Sequence, residues 1–168
     1  MANGPLQNQM IEQRFLQGVN YVQQASHSIK KINTGELEHL NKILIAGDEE
    51  SWRFEAAQVL IPTGKSHQFG LVSNPINKAR EILGNALQMA GNREPKKAAL
   101  YLYTEMILGH LFRDANRRTA VLAAIWILHG EGFTVDPQAM LDLPVPDLRI
   151  DKERQEFSKK FEALITED

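Results

Sequence analysis

The chain has 168 residues, a length that suits one domain with a sizeable core, and its 43% hydrophobic and 24% charged fractions are ordinary for a folded protein. A net charge of −2 gives no global attraction to nucleic acid or anionic lipid, and the lack of cysteine excludes disulfides, Cys-based zinc sites and thiol catalysis while permitting a reducing compartment. No stretch approaches the roughly 20 apolar residues of a membrane span, and the first residues lack a signal peptide's charged-then-apolar layout. The expectation is a cytoplasmic protein with neither nucleic-acid nor membrane partners, export by a dedicated secretion system remaining open. From Leu6 to Ile32, apolar side chains at Met10, Phe15, Val19, Val22 and Ile29 alternate with glutamines in loosely helical spacing. A second helix is predicted over Gly35–Ala46, with Leu37, Leu40, Ile43 and Leu44 on one side, Thr34 as N-cap and Gly47 as stop. The stretch "SWRFEAAQVLIPTGKSHQFG" (Ser51–Gly70) then brings β-favouring residues around a Pro-Thr-Gly turn signal and reads as a short hairpin or flap, the only β structure expected. Amphipathic helices follow over Ile76–Ala90 and from Lys96 to about Leu111. Thr119–His129 is apolar on every side, which predicts a helix buried in the middle of the domain. Two glycines end it, Asp142–Leu148 is a proline-stiffened loop, and Asp151–Ile165 is a charged helix presenting Phe157 and Phe161 to the core.

Between the last two core helices lies a dense polar patch, His110-Leu-Phe-Arg-Asp114-Ala-Asn116-Arg117-Arg118. The first amides of a helix have no partner within it, and its dipole places about half a positive charge there, so the start of the apolar helix attracts phosphate. Arg118 can fork onto phosphate oxygens, and Asn116 can both cap the turn and donate a hydrogen bond. Asp114 would repel a bare phosphate but fits a Mg²⁺ shared between carboxylate and phosphates; it also fits a simple N-cap. His110 can take a proton from an incoming hydroxyl or merely cap the preceding helix. Arg118 has the further choice of a salt bridge to Glu105 or Asp114, Arg113 and Arg117 read as surface residues, and Trp52 divides evenly between packing in the flap and touching a target.

The patch resembles the signature of Fic/Doc proteins, H-x-F-x-[DE]-[GA]-N-[GK]-R, without a gap. His110, Phe112, Asp114, Ala115, Asn116 and Arg118 match, and Arg117 departs. The likeness spans about 34–133 of a single Fic-like domain covering 1–168, with a helix flanking each end. It implies a mainly α fold, a Fic-like helical bundle with a small β-hairpin flap. It also implies a Mg²⁺- and ATP-dependent transferase that moves AMP onto a Ser, Thr or Tyr hydroxyl of a target protein. By that resemblance His110 is the catalytic base and Asp114 the metal ligand, while Ala115, Asn116, Arg117 and Arg118 bind the nucleotide phosphates. The flap, about Trp52 to Ile61, would align an extended segment of the protein substrate by strand addition.

Two departures bear on these implications. Fic enzymes carry a second arginine three residues after the first, which orients the γ-phosphate for AMP delivery; here the position is Val121. "DANRRTA" is closer to the Doc toxins, which phosphorylate their targets, so a Doc-like protein kinase is the alternative, and a non-catalytic nucleotide- or partner-binding module is a third reading. Restraint by an antitoxin or by an inhibitory helix is a further family trait, and Ser158-Lys-Lys-Phe-Glu162-Ala163 matches the inhibitory motif [ST]-x-x-x-E-[GN] in part.

Overall fold

A computed structural model describes residues 4–28, 31–54, 57–60, 66–69 and 74–168, with 57–60 and 66–69 described as backbone only. At its centre stands one helix whose every side chain from Thr119 to Leu128 is buried. A helix apolar all round can only exist surrounded, and the rest of the chain supplies the surround. In chain order the elements are α1 (Pro5–Ser28), α2 (Thr34–Ile45), β1 (Ala57–Leu60), β2 (Ser66–Phe69), α3 (Pro75–Gly91) and α4 (Pro95–Gly109). The central helix α5 (Asn116–Gly130) follows, then β3 (Phe133–Thr134), α6 (Pro137–Asp142), α7 (Asp151–Ala163) and β4 (Thr166–Glu167). The expected mainly α fold with a β-hairpin is thus observed. No helix among the described residues is long and apolar enough to cross a membrane.

Helices α1, α2, α4 and α6 pack against α5, and α3 lies against α4. Each outer helix turns a stripe inward: Phe15, Val19 and Val22 on α1; Leu37, Leu40 and Leu44 on α2; Ala79, Ile82, Leu83 and Ala86 on α3. Helix α7 closes the α4 side, where Tyr103 stacks on Phe157 with ring centres 5.7 Å apart and meets Phe161 at 5.3 Å.

The flap is the antiparallel pair β1–β2, with Ala57 opposite Phe69 and Leu60 opposite Ser66. The turn expected at Pro62-Thr63-Gly64, like Ile61 and Ile29, falls outside the described residues. Several boundaries differ from the sequence expectations. Asn33, not Thr34, caps α2, its side chain accepting from Glu36 N–H, and Ala46 rather than Gly47 makes the left-handed stop. Helix α5 begins three residues before its apolar run, because its first turn is the polar one. Helix α6, capped by the Asp136 side chain, was not expected, nor was a second small sheet in which β3 pairs antiparallel with β4.

Candidate active site

The predicted site residues lie where α4, the base of the flap and α5 meet. Helix α4 ends when His110 adopts a left-handed backbone (φ 45°, ψ 56°) with its N–H on Met106 O. Ala115 repeats that conformation (φ 59°) just before α5. Each such residue without glycine's freedom costs about 1 kcal/mol, so the surroundings must hold the turn. They do so through the fully buried Phe112, stacked on the Trp52 ring at 4.6 Å. Main-chain bonds join the same segments: Arg53 N–H donates to Leu111 O (2.8 Å) and Arg113 N–H to Ser51 O (2.9 Å). Trp52, only 3% exposed, is packed against Phe112, while Phe54, 50% exposed, is the aromatic that the flap base presents outward.

Asn116 organises the turn. Its Oδ1 accepts from Phe112 N–H (2.9 Å) and its Nδ2 donates to Phe112 O (2.8 Å), which fixes the orientation of the amide. The same Nδ2 faces His110 Nε2 at 3.4 Å. An amide NH₂ can only donate, so this contact suits the tautomer in which Nε2 carries the lone pair. Burial first, and the Arg53 charge second, push the His110 imidazole below its ordinary value, against an opposing pull from Asp114. The result is a neutral imidazole at physiological pH.

The tip of α5 carries no side-chain cap. The first intrahelical bond runs from Thr119 N–H to Ala115 O, so among the described residues the amides of Asn116, Arg117 and Arg118 have no acceptor. Asp114 does not cap the helix; its Oδ1 accepts from Ala115 N–H (2.7 Å), and its side chain is 78% exposed, 4.0 Å from Arg118 Nη2. The Arg118 side chain is 18% exposed and lies at the tip. Arg117, expected from the resemblance among the phosphate ligands and from the residues at the surface, does neither with its side chain. Its guanidinium donates to Leu141 O and Leu143 O and ties α5 to the end of α6. Only its backbone amide stays at the tip. Glu162 of the partial inhibitory motif faces Lys97 at the start of α4, the end remote from His110, while Ser158 Oγ bonds Arg154 O.

Two organising residues went unread in the sequence. Asn41 Nδ2 donates to Asp114 O (2.9 Å) and Thr119 Oγ1 (3.2 Å), and Thr119 Oγ1 donates in turn to Ala115 O (2.7 Å). An asparagine one turn from Leu37 on the buried face of α2 was the available signal. Arg53, 2% exposed, donates from Nε to His110 O (2.6 Å) and from Nη2 to Gly109 O (3.5 Å). Nothing local announces it, because its burial depends on the flap base docking onto the loop.

Among the described residues no group of three or more His, Cys, Asp or Glu converges as a metal cage. A single exposed carboxylate beside free amides instead suits Mg²⁺, which is held by one or two carboxylates and by phosphate oxygens. A cavity of about 350 Å³ opens on the α2 side of the loop, lined in part by Glu49, Glu50, Ser51 and Asp114. Arg113 lines it as well, and Asp114 is common to this cavity and to the tip of α5.

No family model and no curated protein matches the chain. Solved structures do. A Fic domain containing signaling protein from Bacteroides thetaiotaomicron superposes with a TM-score of 0.71 at 16% identity, covering 98% of this chain and 70% of its own. BepC, a VirB-translocated effector of Bartonella tribocorum solved with bound AMPPNP, gives 0.62 at 13% identity over 94% of this chain and 87% of its own. A Fic family protein from Desulfovibrio desulfuricans gives 0.58 at 15% identity over 98% of this chain and 54% of its own. The chain has the Fic fold.

Proposed function

We propose that the chain transfers AMP from Mg-ATP to a hydroxyl of a target protein, with His110 as general base. The observation that carries this reading is the clasp made by Asn116, which holds the His110 imidazole at the same end of α5 as three unpaired amides and Arg118. Such a tip binds phosphate through amide donors and the helix dipole. Asp114 would share Mg²⁺ with the phosphates, and the metal neutralises charge there. BepC, of like fold, holds an ATP analogue.

In the proposed step a Ser, Thr or Tyr hydroxyl oxygen attacks the α-phosphorus of ATP. Its proton passes to His110 Nε2, the bond from the α-phosphorus to the bridging oxygen breaks, and pyrophosphate leaves. The chain contributes positioning and charge neutralisation rather than a covalent intermediate. The flap, lying against the active loop through Trp52 and Phe112, supports docking of an extended target segment by strand addition.

One observation favours a second reading. Val121 is fully buried, so α5 offers no second arginine to orient the γ-phosphate. Bound in the opposite sense, ATP would deliver its γ-phosphoryl group and the activity would be that of a protein kinase. Mass spectrometry of cellular proteins after production of the parent and of His110→Ala separates the two. The expected result is target proteins heavier by AMP with the parent and unmodified with the variant, whose rate falls at least ~10²-fold. Added phosphate would replace the first reading by the second; identical spectra for both proteins would overturn both.

A further inference from the structure

Helix α1 runs alongside α5 in the same direction. A Cβ added to Gly18 would lie 2.5 Å from Leu122 Cδ1, and the Tyr21 ring is centred 6.2 Å from that of Trp126. One helical turn before Gly18 is Arg14, and one turn before Leu122 is Arg118. The register therefore brings Arg14 beside Arg118 at the tip of α5. Arg14 is half-buried although its neighbours Glu12 and Gln13 are exposed. The electrostatics agree: the Arg118 guanidinium is lowered by burial, raised by Asp114 and lowered again by the positive charge of Arg14.

The carboxylate beside this pair is Asp114, 78% exposed and 4.0 Å from Arg118. Among the described residues no acidic side chain pairs with Arg14. Holding like charges together in a partly desolvated place costs free energy, which an anion reaching both forks would offset. The other cation of the first turn is committed elsewhere, since Arg117 is tied to α6.

We propose that Arg14 is a second phosphate-binding residue of the nucleotide site, taking the terminal phosphate of ATP while Arg118 and the amides of α5 hold the inner phosphates. It rests on the nucleotide-transfer reading above and adds a source of selectivity to it. A nucleoside triphosphate has a phosphate for each arginine, whereas a monophosphate has one, which Arg118 and the amides of α5 take.

The test is calorimetric titration of the full chain with ATP and with AMP, each with Mg²⁺, for the parent, Arg14→Gln and Arg14→Lys, together with melting of the nucleotide-free proteins. Arg14→Gln should bind ATP roughly tenfold to a hundredfold more weakly and AMP as the parent does, with Arg14→Lys between. Its nucleotide-free melting temperature should equal or exceed the parent's, because a repulsion is relieved; a merely structural arginine would lower it. Unchanged ATP binding in Arg14→Gln, equal losses for ATP and AMP, or a lower melting temperature would each overturn the assignment while leaving the transferase reading in place. A parent that binds neither nucleotide would overturn both.

Discussion

At the scale of single residues, the candidate site depends on a side chain that donates to backbone carbonyls. Arg53 is a buried cation that donates to the carbonyls of Gly109, the last residue of α4, and of His110, where the backbone turns left-handed. Removing it strands those carbonyls, and Arg53→Met should cost about 2–4 kcal/mol in denaturant unfolding. It also has an electrostatic consequence. Burial and then the Arg53 charge hold the His110 imidazole below its ordinary value. The base is therefore neutral above that depressed value, and the acid limb of the transfer rate should fall below about pH 6.5. Arg53→Gln should move that limb upward and Arg53→Lys should leave it nearer the parent. A limb that stays put in Arg53→Gln, in protein that still melts cooperatively, would deny Arg53 this influence. The sequence showed His110, Asp114, Asn116 and Arg118 because they sit in one gapless run. It was silent on Arg53 because the partners of that residue are 56 and 57 positions away.

At the scale of elements, the helices were legible wherever burial imposes a period. The inward stripes of α2 and α3 and the wholly apolar α5 were all visible from spacing. The failures fall where the period is absent. The first turn of α5, Asn116 to Arg118, is polar and lies outside the buried run, so the apolar run marked the helix three residues late. Helix α6 and the pair β3–β4 are too short for any periodicity, and their order comes from tertiary contacts such as the Arg117 clamp. Two glycines test the packing of these elements in opposite directions. Gly84 lies on the exposed face of α3, where an added Cβ meets nothing within 4 Å. Gly84→Ala should then stabilise the protein by about 0.5–1 kcal/mol through the unfolded chain and helix propensity alone. Gly18 is buried against the fully buried Leu122, and its missing side chain sets the distance between α1 and α5. Gly18→Val should destabilise by about 2 kcal/mol or more, since overpacking outweighs any propensity gain. Thermal or denaturant melts of the two variants decide the matter, and the same sign for both would mean that α1 does not seat on α5 as closely as the contact requires.

At the scale of the whole molecule, burial of two imidazoles near the ends of one buried rod ties stability, and the proposed transfer, to the same protons. His110 lies just before the N-terminal end of α5, and His129 lies in its last turn near His27 of α1 and Asp168 at the chain's end. Burial is the foremost cause lowering both imidazoles. In the unfolded chain each titrates near ~6.5, whereas in the folded protein each holds its proton less tightly. Between the two values the unfolded state binds more protons, so stability rises with pH through that window. Above about pH 6.5 both imidazoles are neutral in either state and the dependence ends; below it the contribution is lost as pH falls through the folded values. Melting temperatures measured from pH 7.5 down to 5 should therefore decline on the acid side. The decline should be shallower in His129→Gln and shallower still in the His110→Gln, His129→Gln double variant. His110→Gln alone should flatten part of the slope while abolishing transfer. If His110 is the base of the proposed transfer, the acid limb of activity and part of the acid loss of stability then fall on one imidazole. A slope identical in the parent and the double variant would assign the acid loss to carboxylates and break that link.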